Sequence, residues 1–451
     1  MGYPHLQRGL KSRHISLIAL GGIIGSSYFL GTGYLLQQVG PAIFLAYLLG
    51  GFISYLTLAC LGEMAVASPT QGSFINSAAK HISPSWACGV GWSYWFAWVI
   101  FVPSECLAGG LIMNHFFAEI PVYVWTILLG AVISFTNLIP VKAFGEMEFW
   151  LAMTKILILI GFCVSAVFIF IGWFGTPHEP IGTRYLFGDG GLFPKGLTIL
   201  FANMVIFMSS FQGSEIIGLT AAESQNPKKA IPAALTKVTF RIIGLYVIPT
   251  FLLALIFPWQ DGSLEGSIFS IALRKYGFTW FAHVFSFLII AGTISTANSG
   301  LYATIRTLHA LCVKGMGPKI LTHVNKHGIP SYASLATMAA VWVLLLFSCF
   351  VPSNKLYANL LATSGFTGTV CWISICWAEL RFRKRLHHSG IQLTYKVPFF
   401  PYTSYLSIWI QIATLGLVLI DSNLRSSFYF GVPALVIPIL WYKKFRTVAH
   451  H

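Results

Sequence analysis

The chain has 451 residues, of which 56% are hydrophobic and only 9% charged. A soluble globular domain carries roughly 25% charged residues, so a water-facing surface is excluded and the solvent of this fold is lipid. The formal net charge of +15 does not mark a nucleic-acid binder, because the basic residues sit in short loops between apolar runs and never gather on one face.

Apolar runs near the bilayer-crossing length of about 20 residues predict an all-α polytopic membrane protein. Spans are expected over 15–36, 41–61, 87–116, 121–140, 148–173, 196–222, 238–258, 279–312, 332–351, 354–378, 404–421 and 427–442, twelve in all. The run from Ile15 to Leu36 outlasts a signal-peptide core of roughly 7–15 residues, so it reads as a retained first helix. With the N-terminus in the cytoplasm, about twenty loop cations fall inside and six outside, a positive-inside pattern that puts both termini in the cytoplasm of a cell-membrane protein. The expected organisation is a tail and five helices over 1–173, an external loop over 174–195 and five helices over 196–378. A cytoplasmic loop, two helices and a short tail follow over 379–451. None of these segments reads as a separate soluble domain.

The first span holds Gly21, Gly22, Gly25, Gly31 and Gly33 within thirteen residues. Each glycine weakens a helix by about 1 kcal/mol against alanine. Two readings stay open: close helix packing through small residues, or a discontinuous helix whose freed N–H groups bind an anion such as a carboxylate. The sixth span has a second weak point at Ser209, Ser210, Phe211, Gln212, Gly213, Ser214 and Glu215. There, Ser214 and Glu215 either cap a new helix start or belong to a break whose bare carbonyls hold an ammonium. Interruptions at spans one and six fall once in each half of a five-plus-five inverted repeat, a pointer to a transporter binding site.

Three ionisable residues lie within spans, where a charge costs at least about 2.5–3.5 kcal/mol and needs a partner or a cavity: Glu105, Lys155 and Glu215. Glu105 follows Pro103 deep in span three and reads as a site residue. Lys155 is open between a buried role and snorkelling to the interface. Arg306 and His309 read as interfacial, and Thr293, Ser295, Thr296, Asn298 and Ser299 of span eight as hydroxyls and an amide bonded within or between helices. Cys371 and Cys376 lack CxxC spacing, and the eight cysteines read as small core hydrophobes. His115, His178, His283 and His323 are scattered and no HExxH occurs, so no catalytic residue, metal or organic cofactor is expected.

Several short patterns then recur in a familiar order: Arg13-His14-Ile15 before the glycine-rich span, Leu61 to Ala65 (LGEMA), Pro69 to Phe74 (PTQGSF) and Gly91 to Trp95. Phe144 to Trp150, Phe211 to Glu215 (FQGSE), Ala222 to Pro227 and Ala297 to Tyr302 complete the set. Over nearly the whole chain the sequence resembles the amino acid–polyamine–organocation superfamily, specifically its amino acid transporter family of permeases. The resemblance implies twelve helices, with helices 1 and 6 discontinuous in two inverted five-helix repeats and two helices appended. It implies that a substrate carboxylate meets N–H groups at Gly25, Ser26 and Ser27, and that its amino group meets carbonyls near Ile23, Ser209 and Gln212. Phe211 stands as a gate, and Lys155 looks similar to the lysine that replaces a sodium ion in proton-coupled relatives. Two departures bear on the substrate: Ser27 stands where glycine is usual, and Ser214 where threonine is usual. The resulting expectation is proton-coupled uptake of an L-amino acid, with the proton as coupling ion and no partner protein or nucleic acid. A sodium symporter and an amino-acid exchanger are the rivals within transport. A membrane-embedded enzyme would need clustered acids, bases or metal ligands, and a nutrient receptor would need an output segment.

Overall fold

The computed structural model describes residues 24–67, 74–136, 141–173, 180–188, 190–215, 233, 235, 237–239, 241–325, 328–387 and 393–448. Every regular element among them is a helix. Gly25 is extended, α1 spans Ser26–Phe29, and after an interruption at Leu30 the chain continues as α2 (Gly31–Val39). Then come α3 (Ile43–Ala67), the short amphipathic α4 (Phe74–His81), α5 (Pro84–Phe116), α6 (Val122–Thr136) and α7 (Val141–Phe170). A second broken stretch follows α8 (Arg184–Phe187): α9 (Gly196–Ala202), an irregular Asn203, and α10 (Met204–Ser209) running into a turn that ends at Glu215.

The π-helix Ile242–Val247 leads directly into α11 (Ile248–Ile256), and α12 (Ile268–Lys275) precedes the long α13 (Thr279–Val313). The remaining elements are α14 (Ser331–Phe347), α15 (Ser353–His387), α16 (Tyr402–Leu417) and α17 (Arg425–Val448). Among the described residues, six helices are long and apolar enough to cross a membrane: α3, α5, Trp150–Phe170 of α7, Lys237–Ile256, α13 and α15. The helix expected over 354–378 continues to His387, because arginine and lysine are good helix formers and Arg383 is anchored one turn past Glu379.

Polarity is distributed inside out. Trp150, Leu157, Leu335, Trp409 and Leu440 lie on the outer surface, while Thr57, Ser93, Glu105, Lys155, Thr296 and Thr367 are buried. That is the arrangement a lipid solvent demands, since apolar side chains outside lose nothing and polar groups must find partners within. Helix α5 is the axis of the packing, touching α6, α13, α15 and α17. It begins at a well-made cap, with Ser83 Oγ accepting the Trp86 N–H at 3.2 Å and Pro84 in the first turn. At one end of the bundle, Ser267 Oγ donates to the Phe29 carbonyl at 3.1 Å, so the hairpin over 257–278 sits against the broken first span. At the other end lie α4, residues 314–325 and 328–330, and the strap over 393–401.

Candidate functional site

The first break is closed by a carboxylate. Glu105, carried inward by α5, accepts the Ser26 N–H with both oxygens at 2.9 and 3.0 Å and the Ser26 hydroxyl at 3.0 Å. Gly25 permits this approach, because a Cβ there would stand 2.5 Å from Glu105 Oε1. Tyr357 of α15 donates to Ser26 Oγ at 3.1 Å. Glu105, Ser26, Ser27 and Tyr357 are all fully or almost fully buried. The N–H expected to meet a substrate carboxylate is therefore already matched to an anionic oxygen pair from the protein. Ser27 Oγ is buried beside it with no hydrogen-bond partner among the described residues.

Lys155 is joined to the same place through α13. Its Nζ donates to Thr296 Oγ1 at 2.8 Å, and that hydroxyl donates to the Gly292 carbonyl at 2.9 Å. The methyl of Thr296 would be 3.2 Å from a Cβ on Gly25, so one threonine touches both the lysine and the break. At 1% exposure, Lys155 does not reach an interface, and the snorkelling alternative has no support. Thr293 and Thr296 return their hydroxyls to carbonyls of their own helix, as the simpler reading of span eight expects.

The second break is a turn held from several sides. Gly213 takes φ +94°, a left-handed conformation that glycine adopts without strain, and its N–H is bound by both oxygens of Glu215 at 3.0 Å. Trp372 Nε1 donates to Glu215 Oε2 at 3.2 Å. The Ser214 hydroxyl donates back to the Phe211 carbonyl at 2.6 Å. Ser209 likewise donates to Ile206, while Gln212 Nε2 donates to the Gly365 carbonyl at 2.9 Å. Glu215 thus secures the turn, and the helix expected beyond it lies outside the described residues, as does Ile23.

Aromatic rings join the two breaks. Phe211 lies against Tyr246 with centroids 4.5 Å apart, and Tyr28 against Tyr246 at 4.6 Å. Tyr246 donates to the Ser210 carbonyl at 2.9 Å, and Tyr28 donates to the Tyr246 carbonyl at 3.3 Å. Tyr47 packs on Tyr28 and Phe207. The described site residues from Gly25 to Glu215 are buried apart from the half-buried Gln212, and Phe211 is wholly covered.

Sequence reasoning missed Tyr357, Tyr246 and Trp372. Their contacts join residues 331, 36 and 157 positions apart, and no local pattern flags a tyrosine or tryptophan in an apolar run. Cys349 is exposed while Cys60, Cys88, Cys106, Cys312, Cys371 and Cys376 are buried. Among the described residues, no group of histidine, cysteine or acidic side chains has the makings of a metal site.

The amino acid permease family model matches residues 14–447. The chain belongs to the amino acid permease family. This permease is 36% identical over 444 residues to the amino-acid permease RocE of Bacillus subtilis (strain 168), covering 97% of this chain and 94% of that one. It is 35% identical over 444 residues to the amino-acid permease RocC of the same organism, with 97% and 94% covered. It is also 32% identical over 404 residues to its gamma-aminobutyric acid permease, with 89% and 86% covered. The permease is accordingly a multi-pass membrane protein of a family that transports amino acids.

Proposed function

We propose that this permease takes up an L-amino acid by proton-coupled alternating access across the cytoplasmic membrane, with both termini inside. In this reading twelve helices form two inverted five-helix repeats, over 1–173 and 196–378, joined by the external loop over 174–195 and followed by two helices within 379–451. The observation that carries the proposal is the junction at Ser26. A bare N–H and a hydroxyl in the first break meet a carboxylate, and a buried ammonium stands one threonine away.

The chemistry follows from the groups present. The turn through Gly25, Ser26 and Ser27 receives a carboxylate, which displaces Glu105 from the Ser26 N–H. Displaced Glu105 then faces the substrate ammonium, together with backbone carbonyls near Ile23, Ser209 and Gln212. Gly213, Ser214 and Glu215 shape the second break, and Phe211 closes over the bound molecule. Lys155 gives and takes the proton as the two breaks move apart and together. By the family resemblance the Lys155 ammonium, bonded to Thr296, would stand in for a sodium ion, and that supports the proton as the coupling ion.

An uptake screen of labelled amino acids in proteoliposomes, with and without a pH gradient, tests this. Accumulation should follow the pH gradient and survive replacement of sodium. Lys155→Ala should lose gradient-driven accumulation while retaining substrate binding. A Lys155→Ala protein that still concentrates substrate on a pH gradient overturns the coupling role. Sodium dependence would favour a symporter, and uptake only against a preloaded amino acid would favour an exchanger. Amino-acid amides and N-acylated analogues should compete poorly, since each removes one of the two charges the breaks receive.

A further inference from the structure

At the end of the bundle opposite the 257–278 hairpin, two carboxylates share one guanidinium. Glu63 of α3 and Glu379 of α15 are both completely buried. Glu63 receives Arg383 in a fork, Nε at 2.5 Å and Nη2 at 2.6 Å, and the Val397 N–H at 2.5 Å. Three donors, two of them cationic, fix Glu63 as the ionised member. The other carboxylate is treated differently. Among the described residues, Glu379 Oε2 accepts only the Ser404 hydroxyl, at 2.8 Å. Its Oε1 has no hydrogen-bond partner among the described residues and lies 3.8 Å from Arg383 Nε, on a guanidinium already committed to Glu63.

Among the described residues, no second cation is hydrogen-bonded or ion-paired to Glu379. From α3 come Cys60 and Tyr55, from α15 Cys376, and from the strap Tyr395, whose surroundings include Glu63 and Cys60. Helix α16 contributes Ser404 and Ser407, which contact Cys60 and Cys376. Helix α4 contributes His81, turned onto the ring of Phe382. The Phe400 ring covers Arg383 at 4.4 Å. Two carboxylates this close do not both ionise in a dry pocket on one positive charge.

We infer that Glu379 is a proton-binding site, separate from the central site, and that its occupancy governs how firmly the 393–401 strap is held to α3. With a proton on Glu379, the cluster is neutral and Arg383 belongs to Glu63, whose other bond reaches Val397. When that proton leaves, the new carboxylate competes for the same guanidinium, and the Glu63 grip on Val397 weakens. The strap then becomes the part of this end that responds to the pH of the compartment it faces. The inference stands whether or not Lys155 couples transport to protons.

Infrared difference spectra of the reconstituted protein between mildly acidic and alkaline pH test the proton. Hydrogen–deuterium exchange over 393–401 tests the strap. Wild type should lose a protonated-carboxyl C=O band as pH rises, and its Val397 amide should exchange faster than the intrinsic pH effect explains. Glu379→Gln should lack that band and keep the strap equally protected at both pH values. Should the glutamine variant fail to fold, Glu379→Asp should move the band. A wild-type protein with no such band, a Glu379→Gln or Glu379→Asp spectrum with the band unchanged, or a strap whose pH response survives Glu379→Gln overturns the inference.

Discussion

Glu105 holds the backbone N–H of Ser26 between its two carboxylate oxygens, at 2.9 and 3.0 Å, although the residues lie 79 positions apart. Removing the carboxylate orphans a buried N–H and a buried hydroxyl, at about 1–3 kcal/mol for an unsatisfied group. Since 1.4 kcal/mol is about tenfold in an equilibrium, Glu105→Ala should cut initial uptake by at least ~10-fold. Glu105→Gln keeps an acceptor for Ser26, so it should keep more thermal stability in detergent than the alanine variant while still losing uptake. Uptake rates equal to wild type in both variants would remove Glu105 from the site.

Ser27 presents a hydroxyl that is buried with no hydrogen-bond partner among the described residues. Ser27→Gly should preserve transport and strengthen carboxylate binding, because a side chain leaves an anion-receiving turn. Ser27→Leu overfills the same space and should abolish uptake while the protein still inserts. Saturation kinetics for the two variants check this, and unchanged kinetics in the leucine variant would exclude the position.

Gly365 lets α15 lie directly on α10. A Cβ there would stand 2.0 Å from the Val205 carbonyl oxygen, a backbone atom that cannot rotate away. Overpacking of this kind costs about 1–3 kcal/mol or more, and the shift would also lengthen the Gln212 bond to the Gly365 carbonyl. Gly365→Ala should lower both the unfolding temperature and uptake, and a stability scan of purified protein decides it. Gly416, with open space around it, is the control position and should accept alanine with little change.

His81 ends α4, outside the membrane spans, and burial, followed by nearby Lys80 and Arg385, draws its pKa from 6.5 down to about 4. The folded pKa lies below the unfolded one, so between about 4 and 6.5 the unfolded chain binds the extra proton. Stability should therefore fall as pH drops through that window and level off beneath it. The helix end is close to solvent, which limits the effect to on the order of 1 kcal/mol. His81→Phe keeps a ring against Phe382 and should flatten this part of the pH profile. Unfolding temperatures of the two proteins across that range give the comparison.

The broken first and sixth spans were legible because glycine and serine in an apolar run contradict helix propensity locally. Glu105 and Lys155 stood out for the same kind of reason, as charges where lipid forbids them. What stayed hidden was which group answers which. Nothing near Ser26 in sequence points to Glu105 or Tyr357, and Lys155 could be read as a snorkelling side chain until Thr296 of α13 was seen beside it. The role of Glu215 as a tie of its own turn depends on the left-handed Gly213, whose conformation no spacing rule supplies. The Glu63–Arg383–Glu379 cluster was invisible because Glu63 sits in a motif while Glu379 and Arg383 read as the start of a basic loop, and nothing local links the two.

The π-helix at Ile242–Val247 has a consequence for how this gene can vary. A π turn holds one residue more than an α turn, so the two halves of this helix are indexed separately. Loss of one residue there would restore a regular α-helix and leave α11 and its contacts to α7 in place. The residues of the π-helix itself would turn against α3 instead. A single-residue gap at this point in a sequence comparison should therefore mark relatives whose Tyr246 equivalent no longer bridges the two breaks, rather than relatives of a different fold.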